Sequence, residues 1–245
     1  MRPERQKLRT HATRLCAATL CVLALSAAGA PRADALARAT PTPQEAQRPA
    51  VEEDVEKLSK QTGVRPPVID VQPLRDVLAE AGELIEQGRL GPNSRVDVTA
   101  KGERNDDGSL KAETVEFNWT TGSDEVAASL AERFVAALSR SKLFSVLEGA
   151  KEVSVRVSLG EKNALFTVAA DVPSAERAAQ LARGYGGMLL IASRGKEGTR
   201  EGELYKSVKV SSEGRRFAFT FDMPKEDLNG IIADVLAKRV ARGND

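Results

Sequence analysis

The sequence predicts an α+β fold: a two-layer sandwich of three ββα units, an antiparallel sheet covered by helices, preceded by one further helix. Three observations carry that prediction. Short stretches between residues 95 and 221 alternate apolar with polar residues, the mark of strands with one buried face. Turn-forming residues join these stretches in pairs, and each pair is followed by a segment whose apolar residues recur at helical spacing. The order strand, turn, strand, helix therefore recurs in residues 95–148, 152–194 and 207–242, as a repeat of pattern more than of residues. Turns this short cannot make the crossover that parallel strands need, which disfavours a Rossmann-type winding. One continuous sheet and two subdomains both fit the pattern.

The leading helix is read from Leu74, Val77, Leu78, Ala81 and Leu84, and it stops at Gly88 and Gly91-Pro92. In the first unit, Val96, Val98 and Ala100 alternate, Asn105-Asp106-Asp107-Gly108 turns, and Val115, Phe117 and Trp119 alternate again. A helix follows with Val126, Leu130, Phe134 and Leu138 on one stripe; Ser123 is its expected N-cap, with Asp124 and Glu125 favouring the positive end. The second unit has Val153, Val155, Val157 and Leu159, a turn over residues 160–163, a strand over 164–170, and a helix opened by Pro173-Ser174. Ala178, Ala182, Tyr185 and Leu189 form that helix's apolar stripe. In the third unit, Val208 and Val210, a Ser212-Glu213-Gly214 turn, and Phe217, Phe219 and Phe221 precede a last helix with Leu228, Ile231, Ile232, Val235 and Leu236. Alternation places the aromatic residues Phe117, Trp119, Phe217, Phe219 and Phe221 in the core rather than on a nucleic-acid stacking platform.

Ahead of this domain, assigned to residues 73–245, lie two segments of different character. Residues 1–30 have the layout of a secretory signal: Arg2, Arg5, Lys7, Arg9 and Arg14 against Glu4, then 16 uncharged residues ending in small ones at Ser26, Ala28 and Ala30. The alternative is a short retained anchor. Residues 31–72 hold most of the 11 prolines, which predicts an extended, flexible linker with at most a short helix at 51–60.

Cleavage near residues 28–35 would discard His11, Cys16 and Cys21, the chain's one His and both Cys. Ser-His-Asp and Cys-His catalysis, thiolate and His-ligated metals and disulfides would then be excluded from the mature protein. Five basic groups and one acid leave with residues 1–30, taking the net charge from +1 to about −3. That balance argues against nucleic acid as a partner, and a membrane partner is expected only if the N-terminal segment is retained. No catalytic residue, cofactor or metal is assigned. Asp106-Asp107-Gly108 with Glu113 does not have the spacing of a calcium loop, and a turn is the expected reading.

The first unit, residues 95–144, with Val96-Asp97-Val98, the Asn105-Asp106-Asp107-Gly108-Ser109 turn and the Ala-bearing helix before Phe144, resembles the opening of a TonB C-terminal domain. That resemblance implies a periplasmic role in which an exposed strand edge pairs with a peptide of another envelope protein. The linker departs from the family pattern in lacking Glu-Pro or Lys-Pro runs.

Together these readings predict an exported, non-enzymatic bacterial envelope protein that binds a protein or peptide through sheet edges or loops. The alternatives are a membrane-anchored energy transducer, and an exported His- and Cys-free hydrolase or small-ligand or lipid binder. The charged, glycine-rich stretch over 194–202 is the candidate recognition loop, with Arg194, Lys196, Glu197, Arg200 and Glu201 as its contact residues; a solvated linker is the competing reading. Gly184-Tyr185-Gly186-Gly187 inside the second unit's helix is expected either to let that helix lie close on a neighbour or to break it.

Overall fold

The computed structural model describes residues 43–91, 93–120, 122–224 and 227. The expected signal segment 1–30, and the last helix of the third unit except residue 227, lie outside the described residues. In chain order the elements are α1 (Pro43–Thr62), α2 (Gln72–Glu86), β1 (Val96–Glu103), β2 (Glu116–Trp119), α3 (Glu125–Arg140), β3 (Glu152–Leu159), β4 (Asn163–Asp171), α4 (Ala175–Gly195), α5 (Arg200–Ser207), β5 (Val208–Glu213) and β6 (Arg216–Pro224).

The protein is α+β, with one antiparallel sheet in the order β2-β1-β3-β4-β6-β5 and helices packed on it. The choice between one sheet and two subdomains is thereby settled in favour of one sheet. Its register turns the alternation in the sequence into rows. Phe117, Ala100, Val155, Val168, Phe219 and Val210 lie side by side across all the strands, and Trp119, Val98, Val157, Phe166, Phe221 and Val208 form the next row. These rows face the helices, where Phe144, Leu147, Leu138, Val172 and Phe217 are fully buried. Phe134 of α3 meets Phe166 edge-on at 5.5 Å, and Tyr185 of α4 lies against Phe217 and Phe219. The opposite face carries Asn118, Thr99, Arg156, Thr167, Thr220 and Lys209 in a polar row, with Arg156 paired to Asp97 through Nε and Nη2 at 3.2 and 3.0 Å.

Local signals account for most element ends, with one correction. The N-cap of α3 is Asp124, whose carboxylate accepts from the Ala127 N–H at 3.0 Å, rather than Ser123. Ser123 is committed elsewhere: its hydroxyl donates to Thr120 O and accepts the Asp97 N–H, tying the helix start to β1. Ser174 caps α4 by accepting from the Arg177 N–H. In the β5–β6 hairpin, positive φ at Gly214 but not at Arg215 is the type II′ arrangement, whose twist suits paired strands.

The 31–72 linker is corrected by α1, a helix of 20 residues that occupies much of it. Pro43 stands at the first helical position, where a missing N–H costs nothing. Gly63, with φ +64, donates its N–H to Ser59 O and ends the helix, and the next residue, Val64, is 2% exposed. The folded part therefore begins before residue 73. What holds α1 is the glycine stripe of α4, which runs unbroken through Gly184-Tyr185-Gly186-Gly187. A Cβ on Gly184 would lie 2.7 Å from Val64 Cβ, one on Gly187 2.6 Å from Leu58 Cδ2, and one on Gly195 2.9 Å from Val51 Cγ2. At about 100° per residue the three glycines share one side of α4, so close approach to a neighbour is their role.

Candidate functional site

The connection that delivers the chain to β2 is rigid. Arg104 bridges Leu110, and between them Gly108 adopts φ +84 with its Cα so close to the next element that a Cβ would lie 2.5 Å from Ser145 N. Arg104 Nε donates to Phe144 O at 2.8 Å, and the Leu110 N–H donates to Ser139 Oγ at 2.8 Å. Asp107 Oδ1 accepts both the N–H and the hydroxyl of Ser109, while Oδ2 lies 3.5 Å from Lys142 Nζ. Hydrogen bonds from Ser109 hold the Asp107 carboxyl below its ordinary value of 3.8. Both carboxylate oxygens are engaged in fastening a turn against the C-terminal end of α3.

β2 itself is a four-residue edge strand. In an antiparallel ladder, pairs that exchange backbone hydrogen bonds alternate with pairs that do not. The Thr120 N–H donates to Asp97 O at 3.0 Å, so the exchanging pairs are Asp97 with Thr120, Thr99 with Asn118, and Lys101 with Glu116. The N–H and C=O groups of Phe117 and Trp119 consequently point away from β1. No hydrogen bond from another described residue reaches them.

On the helix side of this edge the rings of Phe117 and Trp119 stack at 5.9 Å with an interplanar angle of 15°. Trp119 is 38% exposed, Phe117 is half-buried, and Val126 and Leu130 of α3 are half-buried against the same core. This corrects the expectation that all the period-two aromatics are core. Phe217, Phe219 and Phe221 are buried on β6, an inner strand, whereas Phe117 and Trp119 sit at the sheet margin. Alternation reports which face a side chain joins, not whether its strand has neighbours on both sides.

The other edge, β5, differs in chemistry. Counting outward from the Glu213–Arg216 pair at the hairpin end, the backbone groups of Val208, Val210 and Ser212 face outward. Their surroundings are polar, with Lys209, Ser211, Ser212 and Glu213 all exposed. Charged and polar residues of this kind protect an edge against adventitious pairing.

The candidate loop over 194–202 is a tight helix–turn–helix corner. Arg194 is exposed in the last turn of α4 and Lys196 is its C-cap residue; Glu197 is exposed in the turn, and Arg200 and Glu201 begin α5. Thr199 closes the corner: its hydroxyl donates to Lys196 O at 2.7 Å and accepts the Gly202 N–H at 3.1 Å. A Cβ on Gly202 would collide with Lys196 O, so the glycine is there for compactness. Leu204 and Tyr205 then anchor α5 in the interior. The reading as a solvated linker is corrected by these contacts, and the five nominated residues are spread over two helices and a turn rather than gathered on one loop.

Other chemistry is sparse. Tyr185 is 4% exposed, its hydroxyl lies 3.4 Å from Arg65 O, and burial pushes its pKa up to about 12, so it is neutral and structural at ordinary pH. Among the described residues no group of three or more His, Cys, Asp or Glu is placed to hold a metal ion, and no helix is long and apolar enough to cross a membrane. Comparison with protein-family models, curated proteins and solved structures gives no match for this chain.

Proposed function

We propose that this is an exported, non-enzymatic protein of the bacterial envelope that binds a protein or peptide partner by strand addition at β2. The observation that supports it is the coincidence, at one sheet edge, of outward backbone donors and acceptors with a half-exposed aromatic pair. Strand addition draws affinity from main-chain hydrogen bonds and specificity from alternate side chains, and β2 supplies both. Its first-unit resemblance to the TonB C-terminal domain implies the same mode of use.

Site-specific photocrosslinking in cells tests the reading. With benzoylphenylalanine at Trp119 or Asn118, the full chain should give a discrete adduct, and with the same group at Lys209 or Arg194 it should give none. Adducts from Arg194 or Lys196 but not from β2 would transfer the role to the α4–α5 corner, and the strand-addition reading would fail.

A further inference from the structure

We infer that the strand accepted at the β2 edge is a basic one, with Lys or Arg opposite Glu116 and apolar residues opposite Phe117 and Trp119. This rests on the reading of β2 as a strand-adding edge and deepens it by naming the chemistry of the occupant. Glu116 opens β2, exposed on the polar face, and no described residue forms an ion pair or hydrogen bond with its carboxylate. The same is true of Glu113, in the turn that leads into β2, and of Glu125, in the first turn of α3 that follows it. Thr114 Oγ1 accepts the Glu103 N–H at 2.8 Å, and a Cβ on Gly102 would lie 3.1 Å from Val115 Cγ2, so the turn is held beside β1 at the same margin. The cations nearby are already matched: Lys111 with Glu103 at 2.7 Å, Arg156 with Asp97 at 3.0 Å, Arg133 with Glu80 at 2.8 Å, and Arg95 with Glu161. Lys101 is the register partner of Glu116 on β1 and therefore stands on its inner side. The charge left unmatched along the outer margin is negative.

The ladder makes Glu116 sensitive to what is placed beside it. The strands of this sheet pair antiparallel throughout, and a strand added in the same way would exchange hydrogen bonds with Phe117 and Trp119. Glu116 would then face its new neighbour in a pair that does not exchange hydrogen bonds, the closer of the two kinds, with Cα atoms about 4.5 Å apart. A basic residue there continues the row Lys101, Glu116 with alternating sign, whereas an acidic residue sets two carboxylates directly opposite one another, which is destabilising. On the helix side the two outward rings ask for apolar neighbours, so the occupant alternates basic or neutral polar with apolar residues. At the other edge the sign is reversed, because exposed Lys209 stands at the equivalent place on the polar face of β5. A basic strand is thus drawn to one end of the sheet and repelled at the other.

Peptide titration followed by fluorescence tests this directly, because Trp119 is the chain's one tryptophan and sits in the proposed contact. The probes are short synthetic peptides that alternate Lys with Val or Glu with Val, and a third with the lysines of the first gathered ahead of its valines. Added to the full chain at low ionic strength, the alternating lysine peptide should shift Trp119 emission to shorter wavelength and saturate, at concentrations where the glutamate and blockwise peptides leave it unmoved. Salt should narrow the difference, since the contact is exposed. Glu116→Gln should weaken the lysine peptide about two- to fivefold, and Glu116→Lys should reverse the order of the two alternating peptides, both variants being checked for folding by circular dichroism. Equal binding of the lysine and glutamate peptides, an equal shift from the blockwise peptide, an unchanged order in Glu116→Lys, or no shift with either alternating peptide overturns the inference. The photocrosslinks separate the two levels: an adduct from β2 leaves strand addition standing when the charge preference fails, and no shift together with no adduct from β2 removes both.

Discussion

Alanine at Gly184 and alanine at Gly186, two positions apart on α4, should move stability in opposite directions. Gly to Ala in a helix interior gains about 1 kcal/mol from backbone entropy and burial of peptide surface. At Gly186 a Cβ meets nothing within 4 Å, so the whole gain is expected. At Gly184 the new Cβ would lie 2.7, 2.8 and 3.1 Å from Val64 Cβ, Cγ2 and Cγ1. Carbon atoms prefer separations of ~3.5–4.0 Å, so α4 and the end of α1 must part by nearly 1 Å. Val64 is 2% exposed and branched at the contact, and a rotamer change does not move its Cβ. Overpacking of that kind costs ~1–3 kcal/mol, which cancels or exceeds the helix gain. Gly187 falls between the two, because its neighbour is the far end of the Leu58 side chain, which can turn aside. For a domain of this size ~1 kcal/mol corresponds to ~2–4 °C in Tm. Thermal and urea unfolding of the full chain, followed by circular dichroism, should rank Gly186→Ala above the parent and Gly184→Ala at or below it. The double variant Gly184→Ala with Val64→Ala should recover part of the loss, since the two sites share one contact. Equal stabilisation by the two alanines would refute the close approach of α1 and α4.

Four further outcomes follow from local geometry. Gly108→Ala combines a left-handed backbone with a Cβ 2.5 Å from Ser145 N, and should cost about 2 kcal/mol or more in urea unfolding. Asp124→Ala removes the α3 cap and should cost about 1 kcal/mol, whereas Asp124→Asn, which can still accept the Ala127 N–H, should cost much less. Tyr185 has a folded-state pKa raised from 10.0 to about 12, so its contribution is complete below pH 10 and is lost as the pH rises toward 12; Tyr185→Phe should flatten that alkaline decline in a stability-versus-pH series. Amino-terminal sequencing of protein recovered from the envelope should find a start within residues 28–35, and an intact residue 1 would favour the anchored energy-transducer alternative.

The hairpins and the helices α2, α3 and α4 were legible because each carries its own periodicity: Val153, Val155, Val157 and Leu159 state a buried face without reference to any other element. What escaped depended on partners remote in sequence. Among its described side chains, the apolar ones that α1 turns toward the interior are Val51, Val55 and Leu58, between exposed pairs such as Lys57 with Glu53 and Lys60 with Glu56. By itself that is a weak amphipathic signal, and the prolines around it argue for a tether. The information that α1 docks lies more than a hundred residues away, in glycines of α4 that look like helix breakers until Val64 and Leu58 are set against them. The cap of α3 escaped for a related reason: Ser123 and Asp124 are both good caps, and only the tertiary bond from Asp97 N to Ser123 Oγ decides between them. The α4–α5 corner was misread because its glycine content suggests mobility, whereas Gly202 is small to admit Lys196 O.

The candidate site shows the same limit from the functional side. Val115, Phe117 and Trp119 alternate as cleanly as Phe217, Phe219 and Phe221, and alternation contains no term for position within a sheet. Topology makes the difference: after β2 the chain leaves through α3 and returns as β3 on the other side of β1, so β2 remains at the margin. In the structure β2 is crowded between the Lys111–Thr114 turn and Gly122, which leaves room for a short strand. A short strand is itself a guard against unwanted pairing. β5, the longer edge, adds Lys209 and a polar tip to its defence, while β2 stays short yet spends two of its four positions on aromatic side chains that the core only half covers. Phe117 packs against the core, whereas Trp119, 38% exposed, is the less covered of the two. Under the strand addition proposed above, the aromatic row that the core leaves half covered at Phe117 and Trp119 is the row that an added strand would complete.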